Sequence, residues 1–259
     1  MPANPQKRRI GVTAIEAVAL CILVAAVTVS VYRYRLQPHF FFSEPALGEL
    51  EAFETKYGPG HFSMGLEEWF VRDYFQDKRD GVFLDVGANH YKDRNNTYYL
   101  ESALGWSGIA VDALEEFAAD YRTHRPRTRF VAMFASDVAD TRVQFFVPDN
   151  NLVSSANREF VDKYDSDPSV REVPTTTLTA VLDQAGVAKI DYMSMDIEMA
   201  EPKALAGFDI DRFKPELVCI EAHEQIRQHL IDYFARHGYV VVGKYLRVDP
   251  HNLYFHATR

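Results

Sequence analysis

Residues 81–102 read GVFLDVGANHYKDRNNTYYLES, an apolar run that breaks at a glycine and resumes as an aromatic, leucine-bearing stretch. Val82, Phe83, Leu84 and Val86 are strand formers, and Gly87 opens a turn. Asn95, Asn96 and Thr97 then offer N-cap side chains to the helix expected after them. A strand that passes through a glycine turn into a helix start makes a corner where bare backbone and helix-end N–H groups admit a polar ligand. Tyr91 stands where such turns usually place a second glycine.

The rest of the chain repeats the alternation. Met64, Leu66, Trp69, Phe70, Tyr74 and Phe75 fall near helical spacing, which predicts a helix between Phe62 and Lys78. GWSGIAVDAL gives a second strand ending at Val111 and Asp112. RTRFVAMFASD gives a third strand, and VQFFV is a further extended run. TTTLTAVLDQAG predicts a capped helix closed by Gly186. KIDYMSMDIEM and PELVCIEAH are the fourth and fifth strands, and EQIRQHLIDYFARHG is a helix closed by Gly238. YVVVGKY and NLYFHAT close the chain as an antiparallel hairpin at one edge. Strands alternating with helices predict an α/β fold, a mostly parallel sheet with helices on both faces.

Ligands of such sheets bind beyond the carboxyl ends of the strands, so the residue after each strand carries the information. Those residues are Asp85, Gly87 and Asn89 after the first strand, and Asp112 after the second. Ser136 and Asp137 follow the third, Asp196 and Glu198 the fourth, and Glu221 and His223 the fifth. An acid at the position of Asp112 suits a pair of ribose hydroxyls. Each residue also has a plainer role: Asp137 reads equally well as a helix N-cap, and Asp112 as a solvated surface acid. Five successive strands ending in polar groups are more specific than any one of them.

Other chemistries lack their signatures. The chain has no GxGxxG, no GxxxxGK[ST] and no GxSxG, the marks of dinucleotide, P-loop and nucleophile-elbow sites. A net charge of -9 argues against a nucleic-acid partner. Cys21 and Cys219 sit far apart in unlike surroundings, which argues against a structural disulfide, and the spacing of a cysteine metal site is absent.

The motifs DVGANHYKDRNNTYYLE, GWSGIAVDA, VPTTTL, DYMSMDIEMAEPKALAGFD and PELVCIEAH, in that order, resemble the FkbM family of S-adenosylmethionine-dependent methyltransferases, and HGYVVV and NLYFHAT also fit. The resemblance covers about residues 62–257. It implies a class I methyltransferase (Rossmann-like) fold, a seven-stranded mostly parallel sheet with one reversed strand pair. It also implies O-methylation of a hydroxyl on a sugar, lipid-linked glycan or similar metabolite. By the same resemblance Asp85 and Gly87 match the cofactor turn, Asp112 the ribose acid, Asp137 the adenine side, and Asp196 with Glu198 the fourth motif. Tyr91 and Met199 depart from it, standing where the family usually has glycine. A non-catalytic membrane protein that uses the domain as a binding or scaffolding module is the alternative reading.

Transfer to a hydroxyl requires removal of its proton. His223 is the expected general base, with Glu198 or Glu221 orienting it and Asp196 beside them. The alternatives are a divalent cation on the carboxylates and histidine, or a simple helix cap at Glu221 and His223.

The N-terminal residues are of another material. Residues 10–32, IGVTAIEAVALCILVAAVTVSVY, would span ~34 Å as a helix, enough for a bilayer core, with Glu16 as the one ionisable group. Tyr32, Arg33, Tyr34 and Arg35 read as interfacial anchors. The expected organisation is a membrane anchor at 1–35, a linker and lead-in at 36–61 and the methyltransferase-like domain at 62–259. Lys7, Arg8 and Arg9 before the span barely outweigh Arg33 and Arg35 after it, which leans toward an N-terminus inside. The cytosolic origin of S-adenosylmethionine argues instead for a cytosolic domain, and is the stronger of the two arguments.

Overall fold

A computed structural model describes residues 44–258 of the chain. The span expected at residues 10–32, the anchor at 1–35 and the start of the linker lie outside the described residues. Among the described residues, no helix is long and apolar enough to cross a membrane. The chain divides into a unit ending at Glu51 and one covering residues 52–259.

Much of the expected lead-in is helical, as α1 (Glu44–Tyr57). The next helix is shorter than its apolar spacing suggests: α2 spans Glu67–Phe75. Phe62–Leu66 remain a loop because acidic side chains take its N–H groups. Glu68 Oε2 accepts from Phe62 N (2.8 Å) and Glu67 Oε2 from Gly65 N (2.9 Å).

The main sheet contains β1 (Val82–Val86), β2 (Ser107–Asp112) and β3 (Thr128–Ala132) from the first half of the domain. A short strand β4 (Phe134–Ala135), then β5 (Arg142–Val147) and β6 (Ser169–Thr176), form a separate sheet in the order β4-β6-β5. The main sheet resumes with β7 (Tyr192–Met195), β8 (Leu217–Glu221), β9 (Tyr239–Val241) and β10 (Asn252–Ala257). Its order is β3-β2-β1-β7-β8-β10-β9, and only β10 runs antiparallel to its neighbours. This is the expected seven-stranded, mostly parallel sheet with a reversed strand near one edge.

Connecting helices are α3 (Tyr98–Leu104), α4 (Ala118–His124), α5 (Arg158–Val161), α6 (Leu178–Ala185), α7 (Glu201–Ala206), α8 (Ile210–Phe213) and α9 (Glu224–Arg236). Period-two alternation divides the strand side chains between two faces. Leu84, Val86, Met193, Met195, Val218 and Ile220 pack with Leu182 of α6, Phe213 of α8 and Phe234 of α9. On the opposite face Ala110 packs against Tyr121 of α4, and Tyr254 meets Phe70 of α2 edge-on at 5.2 Å. The helix expected to close at Gly186 does so: Thr177 Oγ1 accepts from Ala180 N at one end, and Gly186 adopts φ 67° at the other.

Three expectations need correction. The third strand ends at Ala132, because the chain leaves the main sheet and pairs Phe134 and Ala135 with Thr175 and Thr176 of β6. Ser136 and Asp137 therefore do not stand at a strand end of the main sheet. The extended run VQFFV belongs to the second sheet, paired antiparallel with the long strand β6, part of which, Thr175 and Thr176, the sequence assigned to the following helix segment. Thr97 precedes α3 but makes no capping bond with its side chain. Asn95 and Thr97 face the opposite way, into the domain, and Asn96 bonds across to Ser194 of β7.

Candidate functional site

Register aligns the carboxyl ends of the central strands. Val86 pairs with Val111 on one side and Met195 on the other, and Met195 pairs with Ile220. Gly87 N donates to Val111 O (2.9 Å), and Asp196 N donates to Val86 O (2.9 Å), so the exits of β1, β2 and β7 converge. Gly87 adopts φ 83°, and a Cβ there would stand 1.7 Å from the carbonyl oxygen of Asp196. The glycine is thus required by the crossing of β7's exit as well as by the turn.

A cleft of about 810 Å³ opens over these ends, large enough for a nucleoside cofactor with an acceptor beside it. Asp85, Gly87, Asn89, Asp112, Asp196, Glu198 and Glu221 all line it. Ser136, Asp137 and His223 do not. Ser136 is buried, donating its hydroxyl to Asp137 Oδ1, and Asp137 lies 3.9 Å from Lys203 on the surface. The wall at that end is apolar instead, made by Leu114, Met133, Phe134 and Phe145.

Asp85 and Asp112 are held by donors from several elements. Thr97 Oγ1 donates to Asp85 Oδ2 (2.7 Å), while Asn95 Nδ2 donates to Ala88 O (3.0 Å) and Tyr121 Oη (2.9 Å). Behind them Arg125, 1% exposed, donates to Glu101 Oε2 (2.6 Å), Tyr91 O (2.9 Å), Asn95 Oδ1 (3.1 Å) and Thr97 O (3.2 Å). One guanidinium thereby ties the turn after β1 to α3 and to the start of β3, where it reaches Thr128. Asp112 takes one backbone N–H on each oxygen, from Asn89 and from Leu114, both at 2.8 Å. Burial raises the proton affinity of both acids, to about 6, against the pull of these donors.

Tyr91 turns away from the cleft. Its ring stacks on His124 of α4 at 4.5 Å and packs against the cluster of Ala88, Ala110 and Tyr121. It neither crowds the cleft nor walls it. Glu198 and Met199 both take positive φ, 52° and 77°, so the Met199 position has the backbone conformation that favours glycine. The bend is held by Ser155 Oγ, which donates to Glu198 O at 2.6 Å.

At the ends of β7 and β8 four carboxylates crowd together. Asp196 opens to the cleft, whereas Glu201 is fully buried with Oε1 accepting from Ile197 N (3.0 Å). Enclosure by the walls, and then Glu221, Glu198 and Glu201, push Asp196 well above the carboxylate range; burial raises Glu201 to about 7. Glu201 Oε2 and Glu221 Oε2 are buried with no hydrogen-bond partner.

His223 lies just before α9, off the end of β8, and its imidazole packs edge-on against Phe160 of α5 at 5.2 Å. Its Nε2 is 3.1 Å from Glu198 Oε2 and 2.9 Å from Glu221 Oε2, the latter without the alignment of a hydrogen bond. Glu198 and then Glu221 raise the imidazole to about 10, so it carries its proton at neutral pH. Two carboxylates thus stand against the imidazole expected as the general base, and it does not line the cleft. It faces a second, smaller pocket with Glu224, Arg227 and Pro250.

The far wall was not foreseen. Met64, Gly65, Glu67, Asp249, His251 and Asn252 line it, and a single 3-10 turn (Asn151–Val153) with its caps Asn150 and Ser154 lines the cleft as well. Asn252 Nδ2 bridges Glu67 Oε1 and Asp249 Oδ2, each at 3.0 Å, and Tyr254 Oη donates to Asp249 Oδ2 (2.7 Å). The sequence signals for these segments were the loop-forming stretches PDNNLVSS and VDPHN, which carry no motif of their own.

Residues 85–241 match the model of the family described as the Methyltransferase FkbM domain. A curated relative, the 31-O-demethyl-FK506 methyltransferase FkbM of Streptomyces tacrolimicus, is 25% identical over 228 residues, 71% of this chain and 86% of that relative. Among solved structures, a TehB-like SAM-dependent methyltransferase from Corynebacterium glutamicum is 12% identical, with a TM-score of 0.44, over 83% of this chain and 98% of its own. An O-methyltransferase from Bacillus cereus, solved in complex with SAH, is 12% identical, with a TM-score of 0.42, over 89% and 94%. The family match spans more than half of the chain and contains the cofactor turn and the ends of β2, β7 and β8. The chain belongs to the FkbM family of S-adenosylmethionine-dependent methyltransferases.

Proposed function

We propose that this enzyme methylates a hydroxyl of a neutral, polyhydroxylated acceptor: a sugar, a lipid-linked glycan or a similar metabolite. The observation that carries the reading is one cleft with the cofactor-turn residues at one end and the crowded carboxylates at the other. Transfer to oxygen is further supported by the relative from Streptomyces tacrolimicus, whose name describes an O-demethyl substrate. Charge argues against an anionic acceptor: Glu67, Asp85, Asp112, Asp196, Glu198, Glu221 and Asp249 line the cleft with Arg94 as the opposing guanidinium.

The residues fit the cofactor. Asp112 has each oxygen fixed by one N–H and still faces the cleft, leaving lone pairs for two ribose hydroxyls. Leu114, Met133 and Phe134 offer an apolar wall to the adenine ring, a role expected of Ser136 and Asp137. When bound, S-adenosylmethionine supplies an electrophilic methyl carbon. Glu198, in the cleft and oriented by the His223 imidazolium, takes the proton of the acceptor hydroxyl. His223 is then a positioning residue.

The apolar run at residues 10–32 serves in this reading as a single-span anchor that keeps the domain on the cytosolic side, near a bilayer-associated acceptor. Protease added outside sealed cells should leave the domain intact; its digestion would put the domain on the other side.

Calorimetric titration of the full chain with S-adenosylmethionine should give saturable binding. Asp112→Ala removes two hydrogen bonds to a charged acceptor, at ~1.5–3 kcal/mol each, and should weaken binding more than about tenfold. Glu198→Gln should keep cofactor affinity and lower turnover by ~10²–10⁴-fold. A product methylated on nitrogen, or full turnover in Glu198→Gln, would overturn the reading.

A further inference from the structure

We propose that the carboxylates of Asp196, Glu201 and Glu221 form a binding site for a hard divalent cation of the Mg²⁺ or Mn²⁺ class. One oxygen from each lies within 4.8 Å of the others, a spread compatible with oxygen ligands around one such ion. The donors are all carboxylate oxygens, which suits a hard cation better than zinc or copper.

Crowding of acids alone would not make a site. The second observation is the state of Glu201. Its residue is fully buried, Oε1 is occupied by the Ile197 N–H, and Oε2 has no hydrogen-bond partner. Glu221 Oε2 is likewise buried and unpartnered by a hydrogen bond. A buried carboxylate oxygen without any donor is rare and costly, and a cation would satisfy Glu201 Oε2 while sharing Glu221 with the His223 imidazole, 2.9 Å from its Oε2.

The neighbouring charges are consistent with a missing positive partner. His223 pairs with Glu198 and Glu221 from the side of the second pocket, whereas Asp196 and Glu201 have no ion pair among the described residues. No lysine or arginine is in ion-pair contact with the three proposed ligands among the described residues. Asp196 and Glu221 line the cleft, which gives an ion a path inward. Glu198 is outside this set of ligands and stays available to the acceptor's proton.

Cation binding can be measured with neither cofactor nor acceptor present, so it stands or falls separately from the methyl-transfer reading. The full chain, freed of metals with a chelator, is titrated with Mn²⁺ and followed by the electron paramagnetic resonance signal of the free ion; Mg²⁺ is then added as competitor. The expected result is one saturable Mn²⁺ site that Mg²⁺ displaces. Glu201→Gln keeps the carbonyl oxygen that accepts from Ile197 N and removes the charge, and should weaken Mn²⁺ at least about tenfold. Should that variant not fold, Asp196→Asn, open to the cleft, carries the same expectation. Absence of saturable binding, or unchanged affinity in a folded variant, would overturn the site. Binding lost in His223→Ala but kept in Glu201→Gln would move the ion to Glu198, Glu221 and His223 and also overturn it.

Discussion

At the β1–β2 end of the cleft, Asp85 and Asp112 accept from Thr97, Asn89 and Leu114, and a buried arginine stands behind the turn that presents them. At the β7–β8 end, Glu201 and Glu221 each keep a buried oxygen without a donor, and one imidazolium serves two of the four acids. Both ends are acidic, but only the first is satisfied by the fold. A satisfied carboxylate is a rigid holder of a ligand's hydroxyls. An unsatisfied cluster has high affinity for positive charge, whether a proton taken from a substrate or an ion.

Arg125 gives the largest test of this contrast. Arg125→Met leaves Glu101 buried and unpaired and frees the turn after β1. Breaking a buried pair in this way costs ~3–5 kcal/mol, to be read as a loss of stability in urea unfolding. Glu221→Gln, at the other end, removes one of several crowded like charges and should leave stability unchanged or higher. If Arg125→Met costs less than about 1 kcal/mol, the first end is not the preorganised one.

The same comparison explains what was legible in the sequence. Strand ends were readable because an apolar run followed by an acid fixes both the strand and the outward direction of the next side chain, as at Asp112 and Glu221. Gly87 was readable as a turn, although its contact with the Asp196 carbonyl comes from a strand more than a hundred residues away. Arg125 was not readable, because HRPRTRF looks like a basic surface turn, and only tertiary contacts bury it. Asn95 and Thr97 show the same limit: local chemistry suits a helix start, but Asp85 and Arg125 compete for their side chains. The exit of the chain after Ala132 into a second sheet was hidden, since RTRFVAMFASD is a continuous strand-like run and its break depends on pairing with Thr175 and Thr176.

Proton linkage supplies the second test. Burial raises Asp85 to about 6 in the folded, unliganded protein, against about 3.9 in an unfolded chain. The folded state therefore holds this proton more tightly. Its contribution to stability is complete below about pH 4 and is lost as pH rises to about 6, amounting to about 3 kcal/mol at most. Unfolding in urea at a series of pH values should show this decline, and Asp85→Asn should flatten it. Equal slopes in the two proteins would mean that Asp85 is ionised in the fold throughout, balanced fully by Thr97, Asn95 and Arg125.

The smallest effects are expected at the two positions where the family pattern has glycine, and they should have opposite signs. Met199 sits at φ 77°, where a side chain strains the backbone by roughly 1–2 kcal/mol, so Met199→Gly should recover part of that, less the greater entropy of an unfolded glycine. Tyr91 has the reverse situation: its ring stacks on His124, and Tyr91→Ala should cost ~0.5–1.5 kcal/mol of stability. Neither change reaches the β1–β2 holder directly. The Tyr91 carbonyl, which Arg125 uses, remains in the variant, and the ring does not line the cleft. Affinity for S-adenosylmethionine should accordingly stay within about threefold in Tyr91→Ala, a difference below ~1 kcal/mol. A large loss of binding there would show that the stack on α4, and not the Arg125 tie alone, keeps the turn in the shape that presents Asp85 and Asp112.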